Sequence, residues 1–128
     1  MDLLLDTHVF IWFLNDDEQL STRVRNLIKE ASNKCYLSIA SIWKIAIKVS
    51  LQKLQIKGDF DKIEIFLTEN DITLLPISFE HLLELTHLEF HHKDPFDRIL
   101  IAQAQCEDFT VATIDTSFDL YPLKTVWK

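Results

Sequence analysis

Glycine is almost absent from this chain: one glycine and three prolines occur among 128 residues, of which 48 % are hydrophobic. This composition excludes collagen-like, low-complexity and disordered chains. No apolar run approaches the ~18–20 residues that a membrane-spanning helix needs. The apolar N-terminal stretch is interrupted by Asp6 and His8 and has neither a basic leader nor a small-residue cleavage site, so it is not predicted to be a secretory signal. We therefore expect a single domain over residues 1–128, located in the cytoplasm and independent of membranes.

Cysteine is also scarce. Cys35 and Cys106 are the only two cysteines, and they lie far apart in largely apolar sequence. No disulfide is needed to explain either residue, and both are predicted to be buried free thiols.

An overall positive charge is lacking, because the formal net charge is −7 at pH 7. A basic field over the whole protein, as many nucleic-acid-binding proteins have, is therefore excluded. Residues 21–57 are nevertheless basic, with eight Lys or Arg residues against Glu30 alone. This segment predicts a local face on which Lys48 and Lys53 contact an RNA backbone, although solvated helix faces would give the same pattern.

Short apolar runs, typical of strands buried on both faces, alternate along the chain with segments of helical periodicity. This alternation predicts a three-layer α/β/α domain with a mainly parallel central sheet, which binds ligands at the carboxyl ends of its strands. No capping box is expected after Ser78, because the residue three positions later is His81 and not an acid or an amide. Strands are predicted at Asp2–Asp6, Cys35–Ser38, Ile72–Ile77, Thr110–Ile114 and Thr125–Trp127, and helices at Thr7–Asn15, after Ser21, from Ser41, at Asp61–Glu69, after Ser78 and from Pro95.

Four aspartates stand at the positions where such a sheet would bind a ligand. Asp6 directly follows the first predicted strand, Asp115 follows the fourth, and Asp94 and Asp97 flank the start of the helix at Pro95. Converging carboxylates repel one another and stay ionised together only with a cation between them. Oxygen ligands of this kind suit Mg²⁺ or Mn²⁺, which can activate water for phosphodiester cleavage. The alternative for each single aspartate is a helix cap.

These residues form part of an ordered set of motifs that extends over essentially the whole chain. With this set the chain resembles the PIN-domain family, and specifically the VapC-type toxins of bacterial toxin–antitoxin pairs. The matching runs are Leu3–His8, Ser38–Trp43, Ile45–Lys48, Leu74–Ile77, His91–Arg98, Ile101–Ala104 and Thr113–Asp115 with Phe118, of which the part from Asp94 to Ala104 is the most specific.

The resemblance implies a metal-dependent endoribonuclease that forms a homodimer and is neutralised by a small antitoxin covering the acidic pocket. Asp6, Asp97 and Asp115 match the acids that bind Mg²⁺ or Mn²⁺ in the family, and Asp94 is an additional acid beside them. Asp6 and Asp97 would then hold the metal, while Asp115 would hold it or orient the attacking water. The pocket would also be lined by polar neighbours of these acids, Thr7 and Ser41.

One position departs from the family pattern. After Ser41-Ile42-Trp43 the family has Glu, whereas this chain has Lys44. One hypothesis is that the Lys44 ammonium pairs with Asp6 or Asp97 and partly replaces the metal, which would weaken or abolish cleavage. The alternative is that Lys44 extends outward and a water takes the place of the Glu. The first case describes a catalytically degenerate PIN module that binds an antitoxin-like partner or RNA without cutting.

Arg98 and the histidines near the acids are the remaining polar candidates. Arg98 is predicted either to contact an RNA phosphate or to form a salt bridge with Asp94. His91 and His92 are not expected to bind Zn²⁺ together, because neighbouring side chains in an extended segment point apart.

Overall fold

The computed structural model describes all 128 residues, and its centre is a five-stranded parallel sheet with the strand order β3-β2-β1-β4-β5. The strands are β1 (Asp2–Leu5), β2 (Lys34–Ser38), β3 (Ile72–Leu75), β4 (Thr110–Ala112) and β5 (Lys124–Val126). The helices are α1 (Thr7–Leu14), α2 (Thr22–Lys29), α3 (Ile39–Ser50), α4 (Ile63–Glu69), α5 (Phe79–His87) and α6 (Pro95–Glu107), with short 3₁₀ turns at Phe60–Lys62 and Thr116–Leu120. The predicted α/β/α fold class is confirmed.

The central strand β1 supplies side chains to both cores of the three-layer fold. Leu3 and Leu5 pack on one face with residues of α1, α2, α3 and α4, whereas Leu4 packs on the other face with residues of α6. All three leucines are completely buried. Alternate side chains of a strand point to opposite faces, so a strand covered on both sides must be apolar at every position.

The strand order creates a crevice at the carboxyl end of β1. Strand β1 pairs with β2 on one side and with β4 on the other. The connections from β1 and β4 therefore leave in different directions, which opens a ligand site between the loops that follow these strands. The residues after β1, β2 and β4 all reach this edge.

Local caps fix where the helices begin. The Asp6 carboxylate accepts a hydrogen bond from Val9 N at 2.8 Å, so of the two predicted candidates for the cap of α1, Asp6 and Thr7, Asp6 is the cap. Ser21 accepts a hydrogen bond from Val24 N at 3.1 Å, as predicted. Helix α3 begins at Ile39, earlier than the predicted start at Ser41. The reason is that Ser38 is its cap and accepts a hydrogen bond from Ala40 N.

The prediction of no capping box after Ser78 is wrong. Ser78 Oγ accepts a hydrogen bond from His81 N at 3.3 Å, while His81 Nδ1 accepts one from Ser78 N at 3.0 Å. A neutral imidazole nitrogen carries an acceptor lone pair, so it replaces the acid or amide of the usual motif.

The prediction for the cysteines is half correct. Neither forms a disulfide, and Cys35 is buried, but Cys106 is exposed. Burial raises the pKa of the Cys35 thiol to about 11. None of the helices has the length and apolar character required to cross a membrane.

Candidate metal centre

Asp6 lies at the end of β1 and is almost completely buried, with 6 % of the residue exposed. One carboxylate oxygen accepts from Val9 N, and the other accepts from the Thr113 hydroxyl. Burial raises the pKa of Asp6 above its usual 3.8, and these two hydrogen bonds oppose the rise. Asp6 therefore caps α1 and also places a carboxylate on the floor of the crevice.

Asp97, Asp115 and His92 converge beside this floor. One ligand atom from each lies within 4.8 Å of the others, a separation suited to holding one metal ion. Asp97 lies in the first turn of α6, and Asp115 caps the 3₁₀ turn at Thr116–Leu120. Asp6 and Asp94 lie outside this group of three.

The electrostatics of the group favour a cation. Burial raises the pKa of Asp97, and repulsion from Asp94 and Asp115 raises it further. The Asp97 carboxylate makes no hydrogen bond of its own to the protein, and the charges of Lys44 and His92 only partly oppose the rise in its pKa. Burial alone would raise the pKa of Asp115, but hydrogen bonds from Ser117 and His92 outweigh this effect and hold the pKa below 3.8.

Lys44 forms a salt bridge with Asp94, and not with Asp6 or Asp97 as predicted. Lys44 Nζ lies 3.1 Å from Asp94 Oδ2, while Asp94 Oδ1 caps α6 by accepting from Phe96 N. The Lys44 side chain is only 16 % exposed, so the alternative in which it extends into solvent is also wrong. Burial acts to raise the pKa of Asp94, but the hydrogen bonds and charge of Lys44 and Phe96 N outweigh it and lower the pKa.

The polar neighbours predicted for the pocket are buried beneath the acids. Thr7 Oγ1 and Ser41 Oγ are 2.9 Å apart and share a hydrogen bond between α1 and α3. Both residues are buried, so they link the two helices below the crevice and do not form its open wall.

Arg98 does not reach the surface, and its predicted contacts with RNA or Asp94 are wrong. The residue is 7 % exposed, and its guanidinium donates to four backbone carbonyl oxygens. A guanidinium with five donors in a planar fork can satisfy several carbonyls of one loop at once, which accounts for its burial here. The acceptors are the carbonyls of Leu85, Leu88, Glu89 and His92.

Comparison with known proteins agrees with this geometry. The PIN domain family model matches residues 3–123 of the chain. The chain belongs to the PIN domain family. No curated protein sequence gives a match.

Several solved structures share the PIN fold with this chain. VapBC2 from Rickettsia felis, bound to a DNA fragment from their promoter, has 19 % identity and a TM-score of 0.77, with 100 % of both chains covered. FitAcB from Neisseria gonorrhoeae has 20 % identity and a TM-score of 0.63, covering 96 % of this chain and 95 % of the other. VapBC-1 from nontypeable Haemophilus influenzae has 14 % identity and a TM-score of 0.68, with 98 % and 97 % covered. At these identities the likeness concerns the fold.

Two residues of this PIN domain's centre are not found by sequence analysis. The sequence presents His92 only as half of a zinc-binding pair, and it does not single out Ser117. Ser117 Oγ lies 2.8 Å from His92 Nε2 and donates to Asp115 Oδ1. The sequence signal that could have identified Ser117 is its position two residues after a strand-end aspartate. A hydroxyl at that position commonly hydrogen-bonds the carboxylate of the capping residue.

Thr113 is the third residue whose role appears only in the structure, and it gives a stability prediction. Its hydroxyl donates to Asp6 and accepts from Asp115 N, so it joins two acids of the centre. Thr113→Val should lower the free energy of unfolding at pH 7 by about 1–3 kcal/mol, because a buried carboxylate loses its donor. Urea denaturation measures this change. Thr110→Val is the control, and equal losses in the two variants would contradict the role assigned to the Thr113 hydroxyl.

Proposed function

We propose that this PIN domain is the toxin of a type II toxin–antitoxin pair and acts as an Mg²⁺- or Mn²⁺-dependent endoribonuclease in the cytoplasm. The proposal rests on the environment of the Asp97 side chain. It is a partly buried carboxylate at the switch point of a parallel sheet, repelled by two neighbouring acids and without a protein donor. A cation bound beside such a group would stabilise its charge.

The residues present fit a divalent cation. Asp97 and Asp115 would hold it directly, and Asp6 would hold it through its Thr113-bonded oxygen or through a water. When bound, the cation supplies a water of lowered pKa and stabilises negative charge on the phosphate. Ser117 fixes Asp115 through Oδ1, and Oδ2, whose one protein partner is His92 Nε2 at 3.4 Å, would bind the cation or orient that water.

The proposed partners are a small antitoxin and a second copy of the chain. A toxin–antitoxin complex from Klebsiella pneumoniae is among the structures of similar fold, which supports the antitoxin. We assign the homodimer contact to an apolar ridge along α3, whose members recur every four residues and are each at least 37 % exposed. Contiguous apolar surface of this kind is typical of a protein interface. The ridge consists of Ile39, Trp43, Ile47 and Leu51.

A second candidate function is a PIN module that binds its partner without cutting. The Lys44–Asp94 salt bridge favours it, because a fixed ammonium beside the centre competes with a metal ion for the same negative charge. Under this alternative the wild-type protein would bind an antitoxin or RNA and leave RNA intact.

The basic segment provides a test of RNA binding that is independent of cleavage. Lys48 lies on α3, one turn beyond Lys44, and Lys53 follows that helix. The double substitution Lys48→Glu and Lys53→Glu should weaken RNA binding about 10-fold and reduce the slope of log affinity against log salt by about 1.4, or about 0.7 per phosphate contact. Fluorescence anisotropy with single-stranded RNA over a salt series measures both.

A matched control for this RNA test is available in the same basic segment. Lys29 and Lys34 lie near the start of β2, at the edge of the sheet opposite the crevice. Their double substitution to Glu changes the net charge equally and should leave the slope nearly unchanged. If both double variants weaken RNA binding and lower the salt slope equally, Lys48 and Lys53 do not form a specific RNA-binding surface.

The nuclease proposal is tested by incubating the purified protein with a single-stranded RNA and a DNA of the same sequence. We expect RNA cleavage that requires added Mn²⁺ or Mg²⁺, stops with chelator and is lost in Asp6→Asn. Cleavage of both nucleic acids by wild type and Asp6→Asn alike would indicate a contaminating nuclease and leave the proposal without support.

A further inference from the structure

His92 is the buried histidine of an adjacent pair whose two rings have different partners. The His92 ring is 8 % exposed and points at Asp115, whereas the His91 ring is 33 % exposed and bonds Glu89 on the surface. We propose that His92 supplies a nitrogen ligand to the metal centre, with Asp97 and Asp115, and that the centre therefore prefers Mn²⁺ to Mg²⁺. This inference rests on the proposed function, because it concerns the cation of the same site.

The geometry of the three side chains suits one ion. Their ligand atoms lie within 4.8 Å of one another, and metal–ligand bonds of about 2.0–2.2 Å place neighbouring ligands of one ion about 3 Å apart. The three side chains would therefore move closer together when they bind an ion.

The backbone around His92 holds the ring in place. The Tyr121 hydroxyl accepts hydrogen bonds from His91 N and His92 N and donates to Glu89 O, and Arg98 donates to Glu89 O and His92 O. The His92 ring also packs edge-on against Phe118 at 5.0 Å between centroids. Two buried side chains, those of Arg98 and Tyr121, thus fix a loop that has no regular structure of its own and direct one ring into the crevice.

Charge explains why a nitrogen ligand suits this particular chain. The Lys44 salt bridge neutralises Asp94. The carboxylates left for a divalent cation are Asp97 and Asp115, with Asp6 beneath them. A neutral imidazole adds a ligand without adding repulsion to a group in which Asp97 is already destabilised by its neighbours.

The ring proton sets the strength of this ligand. Ser117 donates its hydroxyl proton to Asp115, so in the metal-free protein His92 Nε2 donates to Ser117 Oγ. If Nε2 held a cation, the ring proton would have to lie on Nδ1, which is buried and has no acceptor in the protein. Metal-bound histidines ordinarily have such an acceptor, and its absence lowers affinity by about 10–100-fold relative to a site that has one. We therefore expect the centre to bind its cation with lower affinity than a site that has this acceptor.

The nitrogen ligand determines which cation is preferred. Carboxylates bind Mg²⁺ and Mn²⁺ alike, whereas imidazole binds transition metals and is a poor ligand for Mg²⁺. Replacing one oxygen ligand by nitrogen therefore shifts preference toward Mn²⁺.

The test is electron spin-echo spectroscopy of Mn²⁺ bound to the full-length protein, in which a directly coordinated nitrogen modulates the echo. We expect ¹⁴N modulation in wild type and in His91→Phe, and its loss in His92→Phe, which retains a ring against Phe118. Wild-type protein labelled with ¹⁵N-histidine should show ¹⁵N modulation instead, and this measurement does not depend on how a variant folds.

Competition between the two cations gives a second readout. By calorimetry, the ratio of Mn²⁺ to Mg²⁺ affinity should fall about 10-fold in His92→Phe and stay unchanged in His91→Phe. Bound Mn²⁺ without nitrogen modulation in wild type would overturn the role of His92 and leave the carboxylate centre intact. Failure of wild type to bind either cation would instead overturn the proposed function, and His92 ligation with it.

Discussion

Asp97→Asn should abolish Mn²⁺-dependent RNA cleavage and, at the same time, make the metal-free protein more stable. The loss of cleavage should be about 100-fold or more, because even removal of an outer partner of a metal ligand costs about 10–100-fold. Asp97 is the acid of the centre that has no protein donor, so a bound cation would be the main partner of its carboxylate.

The gain in stability follows from the raised pKa of Asp97. Burial and two neighbouring acids raise that pKa above 3.8 in the folded protein. A carboxyl group whose folded pKa is raised stabilises the fold below the unfolded pKa and loses that contribution as the pH rises through the folded value. At pH 7 the charged group therefore destabilises the metal-free fold. Removing the charge should therefore raise the midpoint of thermal unfolding of the metal-free protein.

Addition of Mn²⁺ should make the wild-type protein more stable than Asp97→Asn, the reverse of the order without metal. At 100 times its dissociation constant a ligand stabilises the folded state by about 2.7 kcal/mol, and Asp97→Asn should lose this gain. Asp59→Asn, at an exposed position where the side chain makes no hydrogen bond, is the matched control and should change neither quantity. An Asp97→Asn protein that is less stable than wild type without metal would contradict the electrostatic account.

Lys44→Glu should raise the affinity for Mn²⁺ about 10-fold, equivalent to ~1.4 kcal/mol, and raise the rate of RNA cleavage at limiting Mn²⁺. The substitution removes a positive charge beside the centre and adds the acid that the family has at this position. At about 4 Å and an effective dielectric near 20, two unit charges interact by about 4 kcal/mol, so the change is ample for this effect.

Without metal, Lys44→Glu should be less stable than wild type, because the introduced carboxylate would face Asp94 in place of the present salt bridge. Lys44→Met separates the effect of losing the positive charge from the effect of gaining a negative one, because it removes the ammonium and adds no carboxylate. It should show a smaller rise in affinity. Lys62→Glu, on an exposed 3₁₀ turn, is the control for net charge. Cleavage that appears only in Lys44→Glu would identify the wild-type chain as the binding module.

The sequence was sufficient where the determining contacts are local. The buried run Leu3–Leu5 followed by Asp6 predicted both the central strand and its helix cap, because a residue three positions away, Val9, supplies the bonded N–H. The position of Pro95 likewise marked the start of α6. Such features depend on backbone geometry within one turn.

The centre itself depends on contacts between distant parts of the chain. Lys44 and Asp94 are separated by 50 positions, and their pairing follows from how α3 packs against the start of α6. His92 faces inward because Tyr121, 29 positions later, bonds its backbone. No pattern of residue types near Lys44 or His92 distinguishes these partners from others of the same charge.

The most direct test of the central claim is a single Mn²⁺ titration of the wild-type protein in which RNA cleavage and thermal stability are measured on the same samples. We expect the rate of RNA cleavage and the thermal stability to rise over the same range of Mn²⁺ concentration, and chelator to reverse both changes. Cleavage that persists at full rate in chelator, or stabilisation by Mn²⁺ without any cleavage, would contradict the claim that the centre of Asp6, Asp97 and Asp115 holds the cation on which cleavage depends.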